Sequence, residues 1–176
     1  MFKQKFTARM LPLTGSLLLV LGAASTVDAA TATSNLSVTA SVTANCTIST
    51  APVAFGAYDP VSTNAATALN GTGTVNVTCT SGASTTVTLG QGSNANTGST
   101  DAAPARRMKD ATTHFLTYSL FQDSGRLTVW GNTAGTGVAN TGTGSQVAVT
   151  VYGAVDAGQN VPAGSYSDTV VATVTF

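Results

Sequence analysis

The stretch Leu36-Ser37-Val38-Thr39-Ala40-Ser41-Val42-Thr43-Ala44-Asn45-Cys46-Thr47-Ile48-Ser49 decides the fold class. Apolar residues occupy the even positions, Leu36, Val38, Ala40, Val42, Ala44, Cys46 and Ile48, while hydroxyl and amide side chains occupy the odd ones. Successive side chains of a strand point to opposite faces, so this alternation is that of a half-buried β-strand; a helix would repeat its apolar stripe every three or four residues. The run is longer than an ordinary strand of about five or six residues. It therefore divides into an extension reaching about Ala44 and a first domain strand starting near Cys46.

Working outward, the same alternation predicts strands at 74–80, with Val75, Val77 and Cys79 inward, and at 85–89, 115–121, 127–130, 146–152 and 166–176. Turn chemistry separates them: Asn70-Gly71-Thr72-Gly73, the Gly-rich run from Gly90 to Asn94, and Pro162-Ala163-Gly164. The Gly/Thr-rich stretch 131–144 reads as a long surface loop. No long helical pattern is present, and the composition, rich in Thr, Val, Ser and Gly, is poor in helix formers. Many short strands with polar turns predict an all-β fold, a β-sandwich of roughly immunoglobulin-like size.

Toward the start, Lys3, Lys5 and Arg9 precede an apolar segment carrying Leu17-Leu18-Leu19-Val20-Leu21, and Val27-Asp28-Ala29 fits a small-x-small cleavage site. This is the pattern of a signal peptide over 1–29, and its apolar part is shorter than the roughly 20 residues a spanning helix needs. Export with cleavage, and no stable membrane span afterwards, is the expectation. Both cysteines, Cys46 and Cys79, then lie in an oxidising compartment, where a disulfide between them is expected. Two thiols and one His are too few ligands for a structural zinc site.

The 176 residues carry seven Lys and Arg against seven Asp and no Glu, and charged residues are 8% of the chain, which excludes a nucleic-acid binder held by a basic patch. At 43% hydrophobic and no net charge, the chain also does not fit a disordered protein. His114 is the single imidazole, without a nucleophile elbow or a zinc-peptidase helix, and the Asp residues are scattered singly, so no catalytic residues, metal or cofactor are expected. Gly90-Gln91-Gly92 lacks the Lys and helix start of a phosphate loop and reads as a turn. Arg106-Arg107 reads as a solvated basic loop. Trp130, Tyr58, Tyr118, Tyr152 and Tyr166 read as core or interface residues, with a sugar-binding face as the alternative.

A set of motifs carries a resemblance: Phe55-Gly56-Ala57-Tyr58-Asp59-Pro60, Val77-Thr78-Cys79-Thr80, Leu89-Gly90-Gln91-Gly92, Arg107-Met108, Leu116-Thr117-Tyr118-Ser119-Leu120-Phe121-Gln122-Asp123, Trp130-Gly131, Val151-Tyr152-Gly153, and Ala163-Gly164-Ser165-Tyr166-Ser167-Asp168 through Val174-Thr175-Phe176. In this order, over nearly all of 46–176, they resemble the spore coat U domain family, which includes Csu-type subunits of archaic chaperone–usher pili. Each motif alone is weak; the ordered set is specific.

The resemblance implies a pilin whose immunoglobulin-like sandwich is incomplete and is completed by a donor strand. A periplasmic chaperone first lends the strand, and at the outer-membrane usher the extension of a neighbouring pilin subunit replaces it. Residues 30–45 supply such an extension, with Leu36, Val38, Ala40 and Val42 as plugs on one face. Within the domain at 46–176, Val170, Ala172, Val174 and Phe176 would border the acceptor groove and contact the chaperone. The implied product is a shaft or minor subunit of a secreted adhesive pilus, passing through the periplasm to the cell surface. Three alternatives stay open: the extension begins its own sandwich, the chain is a self-complemented coat protein, or it is a carbohydrate-binding module.

Overall fold

The computed structural model describes residues 27–176, and the chain divides into two units between Ala40 and Ser41. The basic and apolar parts of the expected signal peptide, within 1–26, lie outside the described residues. In the first unit, residues 27–40 carry no strand and every one is exposed. Leu36 is 87% exposed and Val38 84%.

The second unit, Ser41–Phe176, holds eight strands: β1 (Cys46–Ala51), β2 (Leu69–Cys79), β3 (Ser84–Leu89), β4 (Arg106–Lys109), β5 (Phe115–Phe121), β6 (Val138–Thr141), β7 (Gln146–Val155) and β8 (Ala172–Thr175). They form a five-stranded sheet in the order β1-β2-β7-β5-β4 and a three-stranded sheet in the order β6-β3-β8. Every ladder is antiparallel. The fold is all-β, two antiparallel sheets around one core.

Alternation along the strands builds that core. Val75, Val77 and Cys79 of β2, Leu116, Tyr118 and Leu120 of β5, Val151 and Val155 of β7, and Val87 and Leu89 of β3 are buried; along β2 and β5 the intervening residues are less buried, whereas Thr85 and Thr88 of β3 are buried too, with their hydroxyls bonded to Asn140 and Asn132. Burying each Val or Leu stabilises the fold by about 1.5–3 kcal/mol. Trp130 lies fully inside and donates its indole N–H to the Val87 carbonyl at 2.9 Å, so its one polar atom is paired. Cys46 and Cys79 are cross-strand partners and are disulfide-bonded, as the sequence predicts.

Several boundaries differ from the sequence expectation. Asn70-Gly71-Thr72-Gly73 is not a turn but the first part of β2, because its glycines make room for Val53 and Phe55 rather than for a reversal. The stretch 131–144 is not one loop: it contains a 3-10 turn (Ala134–Thr136) and β6. Residues 127–130 form no strand, only an isolated bridge from Val129 to Phe121, since Asp123 draws the amides of Leu127 and Thr128 onto its carboxylate. The expected strand at 166–176 is a ladder only over β8. Finally, Arg106-Arg107 is no solvated loop. It opens β4, and Arg106 is fully buried.

Candidate functional site

Antiparallel pairing leaves β1 at one end of the larger sheet, bonded only to β2, and β8 at one end of the smaller, bonded only to β3. These two free edges lie beside each other without pairing. Between the segment that follows β1 and the segment that leads into β8, the sandwich opens into a cleft of about 380 Å³. Thr50, Ala51 and Val53 line one side, Thr169, Val170 and Ala172 the other, and the core residues Val75, Leu89, Tyr118, Leu120 and Val151 form the floor.

A second hollow, of about 680 Å³, continues from the first, sharing Val53, Phe55, Met108 and Tyr166 with it. Tyr58, Leu69, Leu116, Val155 and Val161 line the rest. The trough is thus mostly apolar and is flanked by strand edges whose backbone groups have no partner on that side. An edge of this kind is a template for another strand. Such an arrangement can take up an extended peptide with alternating apolar side chains, which would gain backbone pairing and bury its apolar face together.

Two polar side chains of the trough, Tyr118 and Asp168, are bonded to each other. Tyr118, buried on β5, donates its hydroxyl to Asp168 Oδ2 at 2.7 Å. Asp168 Oδ1 accepts from the Asn94 amide and from Asn94 Nδ2, both at 3.1 Å. Burial foremost, then the hydrogen bond to Asp168 and that carboxylate's charge, pushes the Tyr118 hydroxyl well above its ordinary pKa. Nearby, Arg106 Nε donates to the Gly90 carbonyl, and its Nη2 to the carbonyls of Leu89 and Trp130, each at 2.8 Å. Burial lowers the Arg106 pKa to about 10, which leaves it charged at neutral pH.

Of the residues singled out in the sequence, Val170 and Ala172 line the trough and Val174 packs half-buried against the core. Phe176 departs from that row: it lies past the end of β8 and is 55% exposed. Leu36, Val38, Ala40 and Val42 are all exposed and belong to no strand, with Val42 at 85%. His114 sits on the loop between β4 and β5, its Nδ1 2.7 Å from Asp110 Oδ2, in a turn that Asp110 also ties through the amides of Thr112 and His114. Trp130 and Tyr118 are core residues, and Tyr58 and Tyr166 are half-buried beside the trough. Among the described residues, no three His, Cys or Asp side chains converge to hold a metal ion.

Sequence reading missed the trough's near wall and its polar lining. Val53, Phe55 and Tyr58 form no assigned strand, but their spacing in Val53-Ala54-Phe55-Gly56-Ala57-Tyr58 carries an apolar signal. Arg106, Asp168 and Asn94 meet from segments far apart in sequence, and nothing local announces that.

The Spore Coat Protein U domain family matches residues 32–173. "Protein U" of Myxococcus xanthus is 50% identical over 159 residues, covering 86% of this chain and 89% of that protein. Among solved structures, a chain of the CsuC–CsuE chaperone–tip adhesion subunit pre-assembly complex from the archaic chaperone–usher Csu pili of Acinetobacter baumannii superposes with a TM-score of 0.55 at 22% identity. That match covers 77% of this chain but only 40% of the other, and at this identity it is a likeness of fold. The residues matched by the family span the trough, both of its walls and the exposed alternating segment, and the chain belongs to the Spore Coat Protein U domain family.

Proposed function

We propose that this chain is an exported structural subunit of a surface fibre, assembled by donor-strand exchange. One observation carries the reading: an apolar trough between two unpaired strand edges occurs in a chain whose residues 36–42 present exposed, alternating apolar side chains. Each is a cost for a soluble protein by itself, and each is the complement of the other. The trough of one subunit takes residues 30–45 of a neighbour, with Leu36, Val38, Ala40 and Val42 directed inward. Before that, a periplasmic chaperone lends a strand to the same trough, and an outer-membrane usher exchanges it.

In this reading residues 1–29 are a signal peptide, 30–45 the donor extension and 46–176 the acceptor domain, and the protein passes through the periplasm to the cell surface. The fold likeness to a chain of a chaperone–tip adhesion subunit complex supports the chaperone partner. The description of the matched family, Spore Coat Protein U domain, favours a second setting, a coat rather than a pilus. There the extension closes the trough of its own chain.

Co-expression with a strand-lending chaperone, followed by heating of the purified protein in detergent at graded temperatures, tests the reading. A ladder of multimers that collapses to monomer only near boiling supports exchange. A strict monomer at every temperature contradicts it and favours the self-closed coat protein.

A further inference from the structure

The far wall of the trough is shaped like a strand but held like a loop. Residues 168–171 join no ladder. Even so, Ser167 exchanges both backbone hydrogen bonds with Lys109, at 2.9 and 3.0 Å, and the carbonyls of Thr169 and Val171 accept from the amides of Ser93 and Gly90, at 3.0 and 2.8 Å. Bonds at 167, 169 and 171 are the alternation of an extended chain, in which the intervening residues direct their backbone groups to the opposite edge. Residues 168 and 170 therefore turn theirs toward the trough.

We propose that Asp168 is the positioning residue that keeps this edge presented to an incoming strand. The proposal rests on the donor-strand reading above. One carboxylate ties the wall in two directions: to the trough floor through the Tyr118 hydroxyl, and to the loop after β3 through the amide and side chain of Asn94. That loop is itself anchored, because Arg106 holds the carbonyls of Leu89 and Gly90 from below. Gly92 belongs to the same device. Its φ is +88°, and a Cβ there would overlap the Asp168 carboxylate.

The chemistry favours positioning over contact with the guest. A carboxylate beside an apolar cleft costs desolvation unless its lone pairs are filled. Those of Asp168 are filled by groups that fix the wall, and Tyr118, whose pKa is raised, stays a hydrogen-bond donor at any working pH. The arrangement gives an edge that is straight and in register before any partner pairs with it, so less ordering is left to the binding step.

The test follows uptake of a fluorescent peptide of residues 30–45 by the full chain. Tyr118→Phe and Asp168→Ala each slow uptake by roughly tenfold or more, as loss of a charge-assisted hydrogen bond implies. The double variant is no slower than Asp168→Ala, because the two share one bond. Asp168→Asn, which keeps an acceptor for Tyr118, recovers part of the rate. Val77→Ala, a core truncation away from the trough, lowers thermal stability without slowing uptake. Hydrogen exchange supplies a second readout: in Tyr118→Phe, which keeps the ring and folds, the amides of Gly90 and Ser93 lose protection while those of β2 keep it. Uptake that follows thermal stability alike in all variants, Val77→Ala included, overturns the proposal. If the unmodified chain takes up no peptide, the donor-strand reading itself falls, and this proposal with it.

Discussion

Gly71 and Gly153 stand opposite each other across β2 and β7, and Phe55 packs over both. A Cβ would lie 3.0 Å from Phe55 Cδ1 at Gly71 and 2.7 Å from Phe55 Cζ at Gly153. Gly73 stands in the same relation to Val53, at 2.7 Å from its Cγ2. Three inward positions without side chains thus leave a hollow at one end of the larger sheet. The segment after β1 settles into it, and in doing so becomes the near wall of the trough. Phe55 also meets Tyr118 edge to face, with ring centroids 6.0 Å apart, which joins that wall to the floor.

Gly153→Ala is expected to destabilise the domain by about 1–3 kcal/mol, the usual cost of overpacking. Urea denaturation measures it. Adding Phe55→Ala should cost less in the Gly153→Ala background than alone, since the first change has already displaced the ring. A neutral Gly153→Ala would mean the hollow is not filled by Phe55.

Reduction of the disulfide is expected to lower stability by roughly 3.5 kcal/mol on the loop-closure argument. The bond joins the starting end of β1, an edge strand, to the far end of β2. Because β1 has no partner on its other side, its loss should free the trough's border first. Urea midpoints with and without reductant give the size, and intact mass under non-reducing conditions showing two free thiols would remove the premise.

Acid provides a further check. For Asp110, desolvation pulls the pKa upward, but hydrogen bonds from the His114 side chain, the Thr112 hydroxyl and the amides of Thr112 and His114 outweigh it and hold it well below the usual carboxylate range. Asp123 is lowered by the amides of Thr128 and Leu127. A carboxylate depressed in the folded state contributes stability that is fully present above its unfolded value of about 3.9 and is lost as pH falls through the folded one. Carbon NMR of the side-chain carboxyls should show Asp110 still ionised at pH values where a free aspartate is half protonated. The stability difference between the native chain and Asp110→Asn should shrink on acidification below that point; a constant difference would contradict the assignment.

The parts of the fold legible in the sequence were those built by local alternation. β5 matches its expected limits, and Val75, Val77 and Cys79 point inward as read. What was not legible is what tertiary packing overrides. Gly71 and Gly73 look like turn residues, yet they serve close approach within a strand. Arg106 looks solvated by composition, yet three backbone carbonyls pair it inside. The inward row Val170, Ala172 and Val174, of which the first two line the trough, follows from alternation, whereas Phe176 breaks it once β8 has ended. Asp168 gave no local signal, because its partners Tyr118 and Asn94 are brought to it only by the fold.

Truncation at the far wall bears on the chaperone. Deleting Thr175 and Phe176 removes part of the β8 pairing with β3, where Thr175 faces Thr86. Recovery of a chaperone complex from co-expressing cells should then fail. Normal yield from the truncated chain would argue against chaperone contact along this strand.

The central claim, that residues 36–42 are a strand given to a neighbour, is tested most directly by fibre yield from Val38→Asp beside Thr39→Asp. A charge placed without a partner in an apolar groove costs several kcal/mol, whereas the opposite face of the donor remains in water. Val38→Asp should abolish polymerisation while leaving the chaperone complex intact, and Thr39→Asp should polymerise almost normally. Equal fibre yields from the two variants, or loss of chaperone binding by Val38→Asp, would show that the segment belongs to the subunit's own fold.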